Sequence, residues 1–218
     1  MLPYGDVPIR VFLLDDHDLV RRGIRDLLAA ARDIVVAGEA DSVLRAPEQI
    51  IRLDVDVMLL DLHLQDGSGI EVCRRVRASN PEVKGLLLTA AADDEAASAS
   101  VLAGAAGYTT KHSRGSDIIG SIRTVHAGQQ VADAAAVQEA TDRLLTRART
   151  SRPPFGKDNV HVLELVAAGL TDRDIAQRLG APLSKVVPQV LALVERLSAD
   201  SPHGSDLPSA GRHRRPTG

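Results

Sequence analysis

Between residues 9 and 127, mainly apolar runs, each interrupted by at most one charged residue, alternate with stretches in which apolar residues recur every three or four positions. The runs fall at 9–14, 34–36, 55–60, 83–88 and 106–109. They lack the in-and-out alternation of a half-exposed strand and read as strands covered on both faces. The segments between them read as helices. Residues 18–31 put Val20, Ile24, Leu27 and Leu28 on one face, and 69–78 begins behind the turn-and-cap signal Asp66-Gly67-Ser68. Helices over 93–103 and 113–126 follow the last two runs. Five strands in strict alternation with five helices predict an α/β domain, a doubly wound five-stranded parallel sheet.

Beyond residue 127 the pattern becomes wholly helical. The Ala-rich stretch 131–150 carries Arg143, Arg147 and Arg149 and predicts a linker helix, which Ser151-Arg152-Pro153-Pro154 breaks. Shorter periodic segments at 160–168, 172–179 and 184–197 predict a small all-α unit. From residue 200, Ser, Pro, Gly, His and Arg predominate, the composition of a disordered tail. The expected organisation is an α/β domain over 8–127, a linker helix and proline break over 128–154, a helical domain over 155–199 and a tail over 200–218.

Composition narrows the class. The 218 residues are 44% apolar and 25% charged, with a formal net charge of −3, so no overall basic signature points to nucleic acid. Aromatic residues make up 2%, which leaves the core to Leu, Val, Ile and Ala. The single cysteine, Cys73, excludes an intramolecular disulfide and a Cys-rich zinc site. On an amphipathic helix it reads as packed rather than reactive. No apolar run reaches the roughly 20 residues that span a bilayer, and the first residues lack the order of a signal peptide. The expectation is a cytoplasmic protein with no membrane partner.

The chemistry sits at the strand ends. Run 9–14 ends in Asp15 and Asp16, run 55–60 in Asp61, run 83–88 in Thr89, and Gly107-Tyr108-Thr109-Thr110 leads into Lys111. In a parallel sheet these ends share one edge, where open α/β sheets place their ligands. A carboxylate attacks an anionic phosphoryl group only when charge is masked, and magnesium does this with oxygen ligands. Asp15, Asp16 and Asp61 are the candidate metal ligands, and Asp61 is the candidate phosphoacceptor. Lys111 is placed to neutralise a phosphoryl oxygen, and Thr89 to donate its hydroxyl to another. Singly, each of these is commonly a solvated cap or surface residue. Four of the right type at successive strand ends are what point to phosphoryl transfer. His17 and His63 read as loop histidines beside the site.

Residues 9–127 resemble the receiver domain of two-component response regulators. The matching pieces are Phe12-Leu13-Leu14-Asp15-Asp16-His17, Leu59-Leu60-Asp61 with Asp66-Gly67-Ser68-Gly69, Leu87-Leu88-Thr89-Ala90 and Gly104-Ala105-Ala106-Gly107-Tyr108-Thr109-Thr110-Lys111. The resemblance implies a flavodoxin-like receiver fold. It also implies that a partner histidine kinase or a small phosphodonor phosphorylates Asp61, that Thr89 moves toward the phosphate, and that Tyr108 rotates inward as a switch. Gln65 stands where the family usually has proline, so a less rigid loop after Asp61 is expected.

Residues 155–197 resemble the LuxR-type helix-turn-helix domain of NarL/FixJ-class regulators, through Ala168-Gly169-Leu170-Thr171-Asp172-Arg173-Asp174-Ile175-Ala176-Gln177-Arg178-Leu179. Thr171 is placed to cap, with Ile175, Ala176 and Leu179 facing inward. The expected DNA-reading surface is poor, with Val187, Pro188 and Leu191 where the family carries polar residues. Pro188 fits a helix only if the helix starts late enough to put it in the first turn. Asn159 stands where the family usually has glutamate. Lys157, Arg173, Arg178, Lys185 and Arg196 are balanced by Asp158, Glu164, Asp172, Asp174 and Glu195, which predicts weak phosphate contact by this unit alone.

Two readings follow. In one, the chain is a phosphorylation-controlled transcription factor that binds DNA as a homodimer through Lys185, Gln189 and Arg178, with Arg212, Arg214 and Arg215 touching phosphates. In the other, the helical unit has lost DNA reading and uses exposed Val187 and Leu191 as an apolar dimerisation or protein-binding patch. A hydrolytic phosphatase is the weaker third class. His63 stands where such an enzyme needs a second carboxylate, and no general base is evident, so the chain is not expected to be an enzyme.

Overall fold

Strand-forming runs and periodic helices follow one another in the order the hydrophobic pattern predicts, in a computed structural model that describes residues 7–151 and 155–199. The α/β part comprises β1 (Ile9–Leu14), α1 (Asp18–Ala29), β2 (Ile34–Ala40), α2 (Ala46–Arg52), β3 (Val57–Asp61), β4 (His63–Leu64), β5 (Gly67–Ser68), α3 (Gly69–Ser79), β6 (Lys84–Thr89), α4 (Asp94–Ala103), β7 (Tyr108–Thr110) and α5 (Gly115–His126). The helical part comprises α6 (Ala134–Thr150), α7 (Lys157–Ala167), α8 (Asp172–Leu179) and α9 (Leu183–Ala199). The expected break at Pro153-Pro154 and the expected tail from residue 200 lie outside the described residues.

The large sheet has the order β2-β1-β3-β6-β7, and every pairing in it is parallel. Although its central strands are apolar through most of their length, successive residues serve different cores, as the strand period of 2 requires. Val11, Leu13, Val57, Leu59, Leu86 and Leu88 pack with Leu28, Ile122 and Val125 of α1 and α5. Phe12, Leu14, Met58, Leu60 and Leu87 pack on the opposite side with Ile50, Val72, Val76 and Leu102 of α2, α3 and α4. That second core runs without a break into Leu144, Phe155, Val166, Ile175 and Val190 of the helical part.

The helical part is therefore docked on the receiver-like part. The linker helix folds back, burying Ala140, Leu144 and Ala148, while Arg143 pairs with Asp94 at 3.2 Å. In α8, Thr171 and Asp174 cap each other reciprocally, and Gly180 ends the helix in the left-handed conformation. At the seam, Arg74 of α3 forms a buried ion pair with Asp172 of α8 and donates to the Leu102 carbonyl at 2.8 Å. Arg173 reaches the Ala78 carbonyl at 3.4 Å.

Three expectations about the helical part change. Helix α9 starts at Leu183, so Pro188 lies inside it, not in its first turn. Leu179 is 37% exposed, not inward-facing. Val187 and Leu191 are half-buried, so they do not form an exposed patch.

Candidate functional site

The ladder between strands brings the acidic ends together. Asp15 continues β1, its N–H donating to the Ala40 carbonyl at 3.2 Å. Asp61 is the last residue of β3 and pairs in register with Leu88, and Thr89 is the last residue of β6. The Lys111 N–H donates to the Thr89 carbonyl at 2.8 Å, which ties the amine-bearing residue to the same edge. Gly69 lets the start of α3 lie against this edge, since a Cβ there would sit 2.4 Å from the Asp61 carbonyl oxygen.

At the centre, the Lys111 ammonium donates to Asp61 Oδ2 at 2.6 Å and lies 2.8 Å from Asp15 Oδ2. The second contact is a charge contact without hydrogen-bond geometry, so Asp15 Oδ2 is buried with no hydrogen-bond partner. Asp16 Oδ1 is in the same condition, while Asp16 Oδ2 accepts from the Gln65 N–H at 3.0 Å. Asp15 and Asp61 are 1% and 3% exposed, which leaves these charges little solvent to screen them. Burial raises the Asp61 pKa above the ordinary carboxylate value. The bond from Lys111 opposes this without cancelling it, and the Asp15 charge adds to the rise. Burial works against the Lys111 ammonium too, but its close contacts with the Asp15 and Asp61 carboxylates prevail and raise its pKa. Two acids share one amine, and the edge keeps an excess of negative charge.

Asp15, Asp16, His17 and Asp61 each offer an atom within 4.8 Å of the others. Hard carboxylate oxygens, two of them buried and unpartnered, suit a divalent cation such as magnesium. Sequence reasoning set His17 aside as a loop histidine. Its Nδ1 lies 2.8 Å from Asp16 Oδ1 and 3.4 Å from Asp15 Oδ1. Only its position directly after the acidic pair could have signalled this.

The remaining predicted residues are placed as follows. The Thr89 hydroxyl oxygen accepts from the Ala91 N–H at 3.4 Å, so it faces its own loop. Tyr108 is half-buried against the core that continues into the helical part. His63 is not a loop residue as expected but begins β4, where it is exposed and lies 3.7 Å from Glu95. The loop after Asp61 is pinned, contrary to the expectation raised by Gln65. It forms the β4–β5 hairpin, and the Gln65 N–H that reaches Asp16 is a donor proline would lack. Asp66 ties the hairpin to the β2–α2 loop by accepting from the Ser42 hydroxyl at 2.7 Å and the Val43 N–H at 3.1 Å. These bonds, the Ser42 bond foremost, lower the Asp66 pKa. Cys73 is fully buried, and burial pushes its thiol up to about 11, in keeping with a packed, unreactive side chain.

In the helical part, Arg178 and Lys185 are exposed, whereas Gln189 donates its amide to Asn159 at 2.9 Å. Asp172 is buried in the seam, which removes one carboxylate from the surface charge balance of this unit. Lys185, Pro188, Ala192 and Glu195 fall on one face of α9 at helical spacing. That face borders a cleft of about 1270 Å³ whose other wall includes Leu64, Gln65 and Arg75. Among the described residues, no helix is long and apolar enough to cross a membrane.

Comparison with known proteins agrees with this arrangement. The profile of the response regulator receiver domain matches residues 11–123. The chain is 36% identical over 194 residues to the DNA-binding transcriptional activator DevR/DosR of Mycobacterium tuberculosis, covering 88% of this chain and 89% of that protein. It is 29% identical over 191 residues to the transcriptional regulatory protein LiaR of Bacillus subtilis, covering 87% and 90%. The crystal structure of a LuxR-family two-component response regulator from Aurantimonas is similar with a TM-score of 0.56 at 29% identity, over 62% of this chain and 97% of that one.

Proposed function

The chain belongs to the response regulators of the NarL/LuxR type, in which phosphorylation controls transcription, and we propose that Asp61 is its phosphoacceptor. The observation that carries this is the Lys111 ammonium held between two buried carboxylates, 2.6 Å from Asp61 and 2.8 Å from Asp15. Residues 8–127 act as the receiver, 128–154 as the linker and 155–199 as the DNA-binding unit.

An Asp61 carboxylate oxygen attacks phosphorus. The bond from phosphorus to the donor breaks, and the donor's nitrogen or oxygen keeps the electron pair. With a histidine kinase the leaving atom is an imidazole nitrogen, and with an acyl phosphate it is a carboxylate oxygen. Asp15, Asp16 and Asp61 would hold magnesium, which supplies the positive charge that lets an anionic phosphoryl group approach. Once Asp61 is an acyl phosphate, the Lys111 ammonium turns from its carboxylate to a phosphoryl oxygen. The Thr89 hydroxyl leaves the Ala91 N–H and donates to another oxygen, and half-buried Tyr108 moves inward behind it. A local change of charge thereby biases packing further along the same core.

That core leads to the helical unit. The face of α9 that carries Lys185 looks across the cleft at the loop after Asp61, so a DNA duplex cannot reach it while the unit is docked. Phosphorylation frees this face, and the freed units pair as a dimer on DNA. Lys185 and Arg178 supply phosphate contacts, and Gln189 joins them if it gives up Asn159. Because exposed cations are few, affinity falls with salt less steeply than for a strongly basic reader. The protein-binding alternative loses its surface, because Val187 and Leu191 are half-buried.

The test is labelling of the full chain by an acyl phosphate with magnesium, followed by a genome-wide DNA-binding assay. Asp61→Asn is expected to abolish the acid-labile label and the phosphate-dependent DNA binding together. Labelling that survives the substitution would overturn the assignment.

A further inference from the structure

We propose that His17 is a fourth, nitrogen ligand of the cation site, so that this receiver holds later first-row divalent cations such as nickel in preference to magnesium. The inference deepens the proposed cation site and rests on it. His17 is the N-cap residue of α1, yet its side chain makes no capping bond. Its backbone N–H is satisfied by Asp15 Oδ1 at 2.8 Å, and its ring is turned over the acids. Nδ1 stands 2.8 Å from Asp16 Oδ1, 3.4 Å from Asp15 Oδ1 and 4.0 Å from Asp61 Oδ2.

A second observation points to a ligand in that space. The Asp16 side chain is 8% exposed, and its Oδ1, the atom beside His17 Nδ1, has no hydrogen-bond partner, whereas the unpartnered oxygen of Asp15, Oδ2, is the one that Lys111 meets. Lys111 meets only the Oδ2 atoms of Asp15 and Asp61, so the side occupied by His17 Nδ1 and Asp16 Oδ1 lies outside its bonds. A cation there would meet three carboxylates and one imidazole. Carboxylates alone suit magnesium, manganese and calcium. An imidazole adds little for magnesium but favours the later first-row divalent cations. The ring itself is 65% exposed, which leaves it free to adjust onto a metal without disturbing the core.

The experiment is calorimetric titration of the metal-free full chain with nickel chloride and magnesium chloride. Nickel is counted only where excess magnesium displaces it, which sets aside the other histidines. The expected result is one competable nickel site, tighter than magnesium by at least about tenfold. His17→Ala and His17→Gln are expected to weaken nickel by at least about tenfold, since even an outer-shell loss costs a metal 10–100-fold, and to leave magnesium within about twofold. Equal nickel affinity in wild type and His17→Ala, with magnesium still bound, would overturn the role of His17 alone. If no cation binds the wild type, the proposed acidic site fails and this inference falls with it. Weakening of nickel in His17→Ala but not in His17→Gln would also count against the imidazole, because glutamine is a poor ligand for these metals.

Discussion

The sheet edge and the seam between the two parts both bury charge, and they do it differently. At the sheet edge, Asp15, Asp16 and Asp61 meet one ammonium, and two carboxylate oxygens are left without hydrogen bonds. At the seam between the parts, one guanidinium meets one carboxylate, and Arg74 has the Leu102 carbonyl as a further acceptor. The edge carries an excess of one sign, which only an incoming cation or a charged reactant can settle. The seam is balanced and needs nothing from outside, although Asp172 Oδ2 lacks a partner. Uncompensated charge marks the place that binds, and compensated charge marks the place that holds. The ion pair is the buried charged tie of a seam that the continuous apolar core also crosses.

The largest effect is expected from breaking the seam. Arg74→Met leaves Asp172 buried without its partner, a change that costs about 3–5 kcal/mol. The apolar core still crosses the seam, so the helical part undocks in a larger fraction of molecules and need not unfold. Small-angle scattering is expected to show a larger radius of gyration, and DNA binding no longer waits for a phosphodonor. The double variant Arg74→Met with Asp172→Leu removes both charges and is expected to restore docking, because an apolar pair of similar volume is often as stable as a buried ion pair. If the single variant keeps the compact radius and its dependence on phosphodonor, the seam is not the latch.

That ion pair was not legible in the sequence. Arg74 and Asp172 lie 98 residues apart, and each sits on a helix where a charge reads as solvated. The sheet was legible because its strands are covered on both faces and carry mainly apolar runs. Strand boundaries moved where local backbone chemistry outranked apolarity. β3 begins at Val57 rather than at residue 55, because Asp56 turns its carboxylate back to the Arg10 N–H at 2.8 Å. β2 runs on through Gly38 and Glu39 to Ala40, since pairing with β1 continues past the irregularity at Val11/Phe12. Helix α2 was counted but not located, being seven residues long with Pro47 in its first turn and only Ala46 and Ile50 buried. The acidic site was legible from residue type at strand ends, and its three acids and amine lie together. His17 was not, because one histidine beside a site gives no pattern to count.

Removing the amine tests the other half of the comparison. Lys111→Met deprives Asp61 of a charge-assisted bond worth about 1.5–3 kcal/mol. The Asp61 pKa, already raised by burial, rises further. A carboxyl whose folded pKa exceeds its unfolded one destabilises the fold above that range. The deficit is therefore expected at neutral pH and shrinks as pH falls through the folded value. Magnesium chloride is expected to restore stability more in this variant than in the wild type, whereas it raises Arg74→Met no more than it raises the wild type. Phosphate label remains measurable, but the DNA-binding response is lost, since no ammonium is present to follow the phosphoryl group. Denaturant midpoints at two pH values, with and without magnesium, separate a site that lacks a cation from a seam that lacks a partner.

The smallest effect is expected where charge is not buried at all, and it sets the floor for the other two. Arg123 of α5 grips Asp33 in a two-pronged contact, with Nε and Nη2 each 2.7 Å from a carboxylate oxygen. Both side chains are about half exposed, at 50% and 45%, so water and salt screen the pair. The Arg123 bond is nevertheless the main reason that the Asp33 pKa lies below the ordinary value. A carboxyl with a lowered folded pKa adds stability above its unfolded pKa and loses it as pH falls through the folded one. Asp33→Asn is therefore expected to lower the melting temperature slightly at neutral pH and not at all in acid, where wild-type Asp33 is protonated too. The small neutral-pH difference is expected to vanish in high salt. A loss as large as that of Arg74→Met, or one that survives high salt, would mean that burial is not what separates strong pairs from weak ones in this molecule.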